Sequence, residues 1–91
     1  MNDPYDIQLS SSATRAIQKK LPEHVAAAVI EFLTGSLRSS PRRVGKPLSR
    51  ELRSRYSARR GAFRIIYSID DAEHLTTVLR IEHRADLYRP R

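Results

Sequence analysis

The chain has 91 residues, no cysteine and a formal net charge of +7. That length supports one domain around one core, and the absence of cysteine excludes disulfides and thiolate metal sites. The most apolar stretch, Val25 to Leu33, is interrupted by Glu31 and is far too short for a membrane span; nothing reads as a signal peptide. At the N-terminus Tyr5, Ile7 and Leu9 alternate with Asp6 and Gln8, which predicts a short strand. Ser10, Ser11 and Ser12 each suit a helix cap. A first helix is predicted from about Ser12 to Lys20, with Ala13, Ala16, Ile17 and Leu21 on its inner face. Pro22 suits the first turn of a second helix, in which Val25, Ala26, Val29, Ile30, Leu33 and Leu37 recur at helical spacing, with Gly35 as its end.

From Arg38 to Leu48 the chain holds Pro41, Gly45 and Pro47 and reads as a loop. A strand is predicted between Leu52 and Arg60, followed by a turn or bulge at Gly61. Phe63, Ile65, Tyr67 and Ile69 then alternate with Arg64, Ile66 and Ser68, and Asp70, Asp71 and Ala72 make a hairpin turn. In the last strand Thr77, Leu79 and Ile81 alternate with Val78, Arg80 and Glu82. The end, His83 to Arg91, is polar and basic, with Leu87 and Tyr88 as its large apolar groups.

This order predicts an α+β fold in a single domain spanning 1–91: an N-terminal strand and a helical hairpin packed on one face of a mostly antiparallel four-stranded sheet. If Phe63, Ile65 and Tyr67 face the helices, Arg64 faces away, and so do Arg80 and Glu82, with Arg84 beyond them. The open face is expected to gather these arginines, with the loop arginines beside it. Tyr56, Phe63 and Tyr67 are expected to pack in the core or at its edge.

Charge is concentrated in one segment. Between Arg38 and Arg64 ten basic residues stand against one acid, Glu51, and the only lysines of the chain are Lys19, Lys20 and Lys46. Arginine presents a rigid fork of donors that matches phosphate oxygens. Such a segment serves either as a nucleic-acid footprint or as a surface balanced by an acidic protein partner. No helix-turn-helix, zinc-finger or glycine-rich RNA motif accompanies it, which weighs against a plain nucleic-acid-binding module.

Three segments, GKPL (Gly45 to Leu48), YSARRGAFRIIY (Tyr56 to Tyr67) and HRADLYR (His83 to Arg89), together resemble the RelE/ParE superfamily of bacterial toxins, in particular the RelE-like branch common in actinobacteria. The resemblance covers essentially the whole chain. It implies a cytoplasmic toxin of a type II toxin–antitoxin module, a ribosome-dependent endoribonuclease that cleaves messenger RNA in the A site by 2′-hydroxyl attack. It further implies a cognate RelB-like antitoxin, through which the complex would bind operator DNA, and neither a membrane nor a cofactor. By the resemblance, catalysis falls to Arg64, Arg84, His83, Tyr88, Arg59 and Arg60. Arg42, Arg43, Lys46 and Arg80 are expected to hold RNA phosphates without reading sequence. The alternative on the same fold is a ParE-like toxin that inhibits DNA gyrase without cutting RNA; Arg64 with His83, Arg84 and Tyr88 argues against it.

In-line attack by a 2′-hydroxyl needs a base, an acid and positive charge around the phosphate; it requires no metal, and no metal-ligand constellation stands in the sequence. RelE carries lysines, one of them usually assigned as the base, where this chain has Arg59 and Arg60, and an arginine stays protonated. The substitutes are Glu51, Glu82, His83 and Asp86, or no single group at all if the arginine cluster lowers the barrier by charge. Of the named residues His83 has the titration range that suits the task. His83 could equally cap the last strand, and Tyr88 could equally pack the tail on the sheet.

Overall fold

The computed structural model describes residues 3–48 and 55–83. In chain order it contains β1 (Asp6–Leu9), α1 (Ser11–Arg15), α2 (Glu23–Phe32), β2 (Lys46–Pro47), β3 (Arg55–Arg60), β4 (Phe63–Asp70) and β5 (Leu75–His83). Each helix continues into a more widely wound turn, α1 through Ala16–Lys20 and α2 through Leu33–Leu37. The strands form one sheet in the order β1-β5-β4-β3-β2. β1 runs parallel to β5, and every other neighbour is antiparallel. The α+β class and the mostly antiparallel sheet agree with the sequence reading; the sheet has five strands rather than four. The additional one, Lys46–Pro47, pairs with Ser57 and Tyr56 inside the stretch read as a loop.

The helices cover one face. Ser10 caps α1: its hydroxyl oxygen accepts from the Ala13 amide at 3.0 Å and donates to the Leu79 carbonyl at 2.8 Å, so one side chain ties the helix start to β5. α2 and its extension bury Val25, Val29, Phe32, Leu33 and Leu37. Ile30, expected on this face, is 46% exposed, because Val29 and Phe32 already define the buried stripe. Gly35 does not end the helix; the winding passes through it to Leu37. Against the helices the sheet places Ala58, Phe63, Ile65, Tyr67, Val78 and Ile81. Full burial of a side chain such as Leu37 or Ile65 contributes about 1.5–3 kcal/mol, so a few of these positions account for the core.

β5 does not alternate simply. Tyr67 pairs with Val78 but Ile66 pairs with Arg80, so Leu79 is an extra residue. Before this bulge Thr76 and Val78 point inward, both fully buried; after it Ile81 does. Thr77 and Leu79, expected to face the core, are half-buried instead. The bulged Leu79 carbonyl is the one that accepts from Ser10. The β4–β5 turn spans Asp71 to His74 and is longer than the predicted one, with His74 at φ 54° and the Glu73 amide donating to Asp70 Oδ1.

Gly45 permits β2. A Cβ there would meet the Tyr67 hydroxyl and lie 2.8 Å from the Ser57 carbonyl oxygen. The Tyr67 hydroxyl in turn donates to the Pro41 carbonyl at 2.6 Å. Burial, then the neighbouring Tyr56, pushes the Tyr67 hydroxyl up to about 12, so it remains a donor. Tyr56 stacks on Tyr67 with ring centroids 5.7 Å apart. The aromatic residues of β3 and β4 therefore hold the 41–47 segment onto the sheet.

Candidate functional site

Residues directly opposite each other on neighbouring strands share a face. Ile65 lies opposite Ala58 and Ile81, all buried, which fixes the helix-covered face. On the open face the register aligns Arg59 of β3, Arg64 of β4 and Glu82 of β5 in one row. Ser57, Ile66 and Arg80 form the next row, with Lys46 opposite Ser57 at the sheet edge. Arg55 and Ser68 follow. Among the described residues five cations, Lys46, Arg55, Arg59, Arg64 and Arg80, thus share this face, with Glu82 as the acid that contacts them; Asp70 and Asp6 lie at its far end, opposite Leu75. Arg55 was not among the residues singled out from sequence; its two-residue spacing from Ser57 and Arg59 is the signal that places it here.

Like charges directly opposite each other on a ladder are unfavourable, and Arg59 stands opposite Arg64. Glu82 offsets this from one side only. Its Oε1 accepts from Arg64 Nε at 2.8 Å and from Arg64 Nη2 at 2.5 Å, and its Oε2 lies 3.2 Å from Arg80 Nε. The Glu82 side chain is 16% exposed, against 37% for Arg64 and 68% for Arg80. The arginine heads are therefore open to solvent while the carboxylate is tucked between them. A shallow depression beside them is lined by Lys46, Ser57, Arg59, Arg60 and Arg64. This surface suits a phosphate diester: several forks of donors, one edge of Arg64 fixed by Glu82, and Arg59 with no acid partner among the described residues.

A second arginine–carboxylate pair lies at the other end of the sheet. Arg42 donates from Nη1 and Nη2 to the two oxygens of Asp71 at 2.8 and 2.7 Å. The Tyr5 hydroxyl also donates to Asp71, at 2.8 Å, and the Tyr5 ring stacks on His74 with centroids 4.0 Å apart. The hydrogen bond from Arg42, then that from Tyr5, holds the Asp71 carboxyl down to about 2, and the same bond raises Arg42 above its ordinary value. Asp71 follows the end of β4 and Arg64 stands near its start; six strand residues at about 3.3 Å each separate the two regions by roughly 20 Å. Arg43 lines a depression beside Arg42 with Tyr5, Ser39, Ser40 and His74.

The sequence profile described as "ParE toxin of type II toxin-antitoxin system, parDE" matches residues 7–88. Toxin RelG of Mycobacterium tuberculosis is 49% identical over 86 residues, which cover 94% of this chain and 98% of that protein. The chain belongs to the RelE/ParE family of type II toxins. Toxin RelE of the same organism is 43% identical over 94% of this chain and 88% of its own length. The structure superimposes on a chain of the toxin–antitoxin complex RelBE2 from M. tuberculosis with a TM-score of 0.84 and 46% identity, covering 90% of this chain and 100% of that one.

Within this RelE/ParE fold, the residues singled out from sequence do not all come together. Arg59, Arg64, Arg80 and Lys46 share the open face. Arg60 lies opposite Phe63, on the helix side; its guanidinium sits 4.8 Å over the Phe32 ring and donates to the Arg59 and Val44 carbonyls. His83 is also opposite Phe63, so it belongs to the face that Arg64 turns away from. Arg42 is engaged by Asp71 at the far end and Arg43 lies beside it, so the loop arginines Arg42 and Arg43 do not flank the cluster, whereas the loop lysine Lys46 does. Arg84, Tyr88, Glu51 and Asp86 lie outside the described residues. Among the described residues no three His, Cys, Asp or Glu side chains gather as metal ligands, and no helix is long and apolar enough to cross a membrane.

Proposed function

We propose that this chain is the toxin of a type II toxin–antitoxin pair and acts in the cytoplasm as a ribosome-dependent endoribonuclease, cutting messenger RNA in the A site by attack of the RNA's own 2′-hydroxyl. The observation that carries this reading is the row Arg59–Arg64–Glu82, with Arg80 and Lys46 beside it, on a sheet face that no helix of the described residues covers. Facing arginines are tolerated in a ladder when an anion bridges them in the working state, and a phosphate diester is the anion that guanidinium forks match. Arg64 and Arg80 would stabilise the charge that grows on the phosphate, while Arg59, Lys46 and Arg55 position the strand. Arg84 and Tyr88, just beyond the end of β5, are further candidates by sequence. A cognate antitoxin would mask this surface; the similar RelBE2 structure is a toxin–antitoxin complex, and the net charge of +7 favours acidic segments in such a partner.

A second reading is gyrase inhibition, favoured by the description of the matching family, which names ParE. The identities of 49% and 43% to toxins named RelG and RelE support the first reading. The experiment is direct. Purified toxin, released from its antitoxin, is added to ribosomes programmed with a short messenger and, separately, to gyrase with relaxed plasmid. Cleavage within the A-site codon, leaving a 2′,3′-cyclic phosphate end, with supercoiling unaffected, is the expected result. Blocked supercoiling with an intact messenger would overturn it.

A further inference from the structure

We propose that Glu82 is the proton acceptor of this site, the residue that takes the 2′-hydroxyl proton; the assignment rests on the RNA-cleaving reading above. The positions at which a lysine base would be expected from the family hold Arg59 and Arg60, and neither guanidinium gives up its proton at working pH. Glu82 is the carboxylate that touches these arginines, and it stands in the same row as Arg59 and Arg64, whereas Asp70 and Asp6, which the register also puts on this face, lie opposite Leu75 at its far end. The charged groups that face it are Arg64 from β4, Arg80 from its own strand and, beyond Arg64, Arg59 from β3. The helices lie on the other side of the sheet and contribute none. His83, the group favoured from sequence, is one residue on and therefore on the opposite face.

A carboxylate inside a phosphate-binding cluster repels the very ligand the cluster attracts. Orienting Arg64 alone would not require this, because a neutral acceptor could hold the same fork. The hydrogen-bond pattern is suited to proton transfer instead. Oε1 takes both bonds from Arg64, whereas Oε2 has a single longer contact, 3.2 Å to Arg80. A carboxylate has about four lone-pair sites, so Oε2 retains one for a hydroxyl proton. In the step, that proton passes to Glu82 as the 2′-oxygen bonds to phosphorus. The bond from phosphorus to the 5′-oxygen breaks, and the leaving oxygen departs with the electron pair and takes a proton from water. Glu82 then returns its proton to solvent. The products are a 2′,3′-cyclic phosphate and a 5′-hydroxyl. Arg64 and Arg80, each in contact with Glu82, stabilise the charge on the pentacovalent phosphate.

The test is a single-turnover pH–rate profile on programmed ribosomes over roughly pH 5 to 9. Glu82→Gln keeps the shape and an acceptor for Arg64 but cannot take the proton; its rate at neutral pH is expected to fall roughly 10²- to 10⁴-fold with ribosome binding held, and to climb with pH relative to the parent as hydroxide takes over the proton. Glu82→Asp keeps the charge at shorter reach and is expected to recover part of the rate together with the parent's pH dependence. Should Glu82→Gln fail to fold, as judged by circular dichroism and antitoxin capture, Glu82→Asp decides alone: the parent's pH dependence at a reduced rate supports the assignment, a rate that climbs with pH relative to the parent overturns it. A Glu82→Gln rate within about threefold of the parent overturns it, as does a slow variant whose pH dependence parallels the parent's, which would make Glu82 a positioning residue. A His83→Gln variant that acquires the climbing profile while Glu82→Gln does not also overturns it. Absence of cleavage by the unaltered toxin appears before any variant is compared; it defeats the RNA-cleaving reading and this assignment with it.

Discussion

Two arginine–carboxylate pairs bracket β4 and do different work. Arg42–Asp71 is bidentate and roughly half-exposed on both sides. It joins the 41–44 turn to the β4–β5 turn, and Tyr5 completes it from the N-terminus. Charge there is balanced, and the partners come from three distant parts of the chain. Arg64–Glu82 joins adjacent strands that the ladder already holds together, so it adds little to connectivity. It is flanked by further cations on both sides and has its carboxylate more buried than its guanidinium. A charge census counts the two arginines alike. Geometry separates an arginine that closes a turn from one held ready for an anion.

The largest expected effect breaks or sharpens this distinction directly. Arg64→Ala is expected to slow messenger cleavage by about 10²–10³-fold with an unchanged melting curve. Arg42→Ala is expected to keep cleavage within a few-fold while loosening the Arg38-to-Leu48 segment, read by hydrogen exchange. Equal losses of cleavage in the two variants would erase the difference.

Next in size is the support under Lys46. Gly45→Ala forces a methyl against the Tyr67 hydroxyl and the Ser57 carbonyl. Neither can retreat easily, since Tyr67 is fully buried and Ser57 is in the ladder. The variant is expected to lose about 1–3 kcal/mol in urea denaturation, with β2 detaching first. Full stability in Gly45→Ala would mean that β2 is not tied to the core through Tyr67.

The smallest effect is a pH dependence at the structural pair. The Asp71 carboxyl is depressed in the folded chain from its ordinary 3.8 to about 2. A depressed folded value means that the ionised form favours folding. Its contribution is present above about pH 4 and is lost as pH falls toward 2. Asp71→Asn removes it, so the stability gap between parent and variant is expected to narrow over that interval in acid-unfolding curves. A gap that stays constant down to pH 2 would show that Asp71 does not act through its charge. The pair is exposed, so the change is expected to be modest and sensitive to salt.

Much of the site was legible from alternation alone. Phe63, Ile65 and Tyr67 on one face put Arg64 on the other, and Arg59 follows from pairing β3 against β4. Two residues assigned by resemblance rather than by alternation point elsewhere for a physical reason. His83 is one step along β5 from Glu82, and a single step along a strand reverses the face. Arg60, one step from Arg59, lays its guanidinium over Phe32, although it still lines the depression beside Arg59 and Arg64. The loop arginines were placed by proximity in the chain. Asp71, an acid 29 residues away, captures Arg42 instead, and no local pattern announces such a partner. Ile30 shows the converse limit: a helical period identifies an apolar stripe but not how wide the contact with the sheet will be.

By itself the sequence determined that this is a small basic α+β domain with a helical hairpin over a sheet, and that arginines face away from the core on β4. Period-two alternation is a local steric property of strands and survives without knowledge of neighbours. Alternation counted from Ile81 also put Arg80 and Glu82 on the open face; the tertiary structure decided that Val78 rather than Thr77 is buried with Ile81. Val78 and Ile81 are both buried only because Leu79 bulges, and the bulge is held by Ser10 at the start of α1, 69 residues earlier. With strict alternation from Val78, Arg80 and Glu82 would turn toward the helices. One extra residue, anchored across the whole chain, brings Glu82 to Arg64, because side-chain direction in a strand depends on register and register is set by what the strand is bonded to.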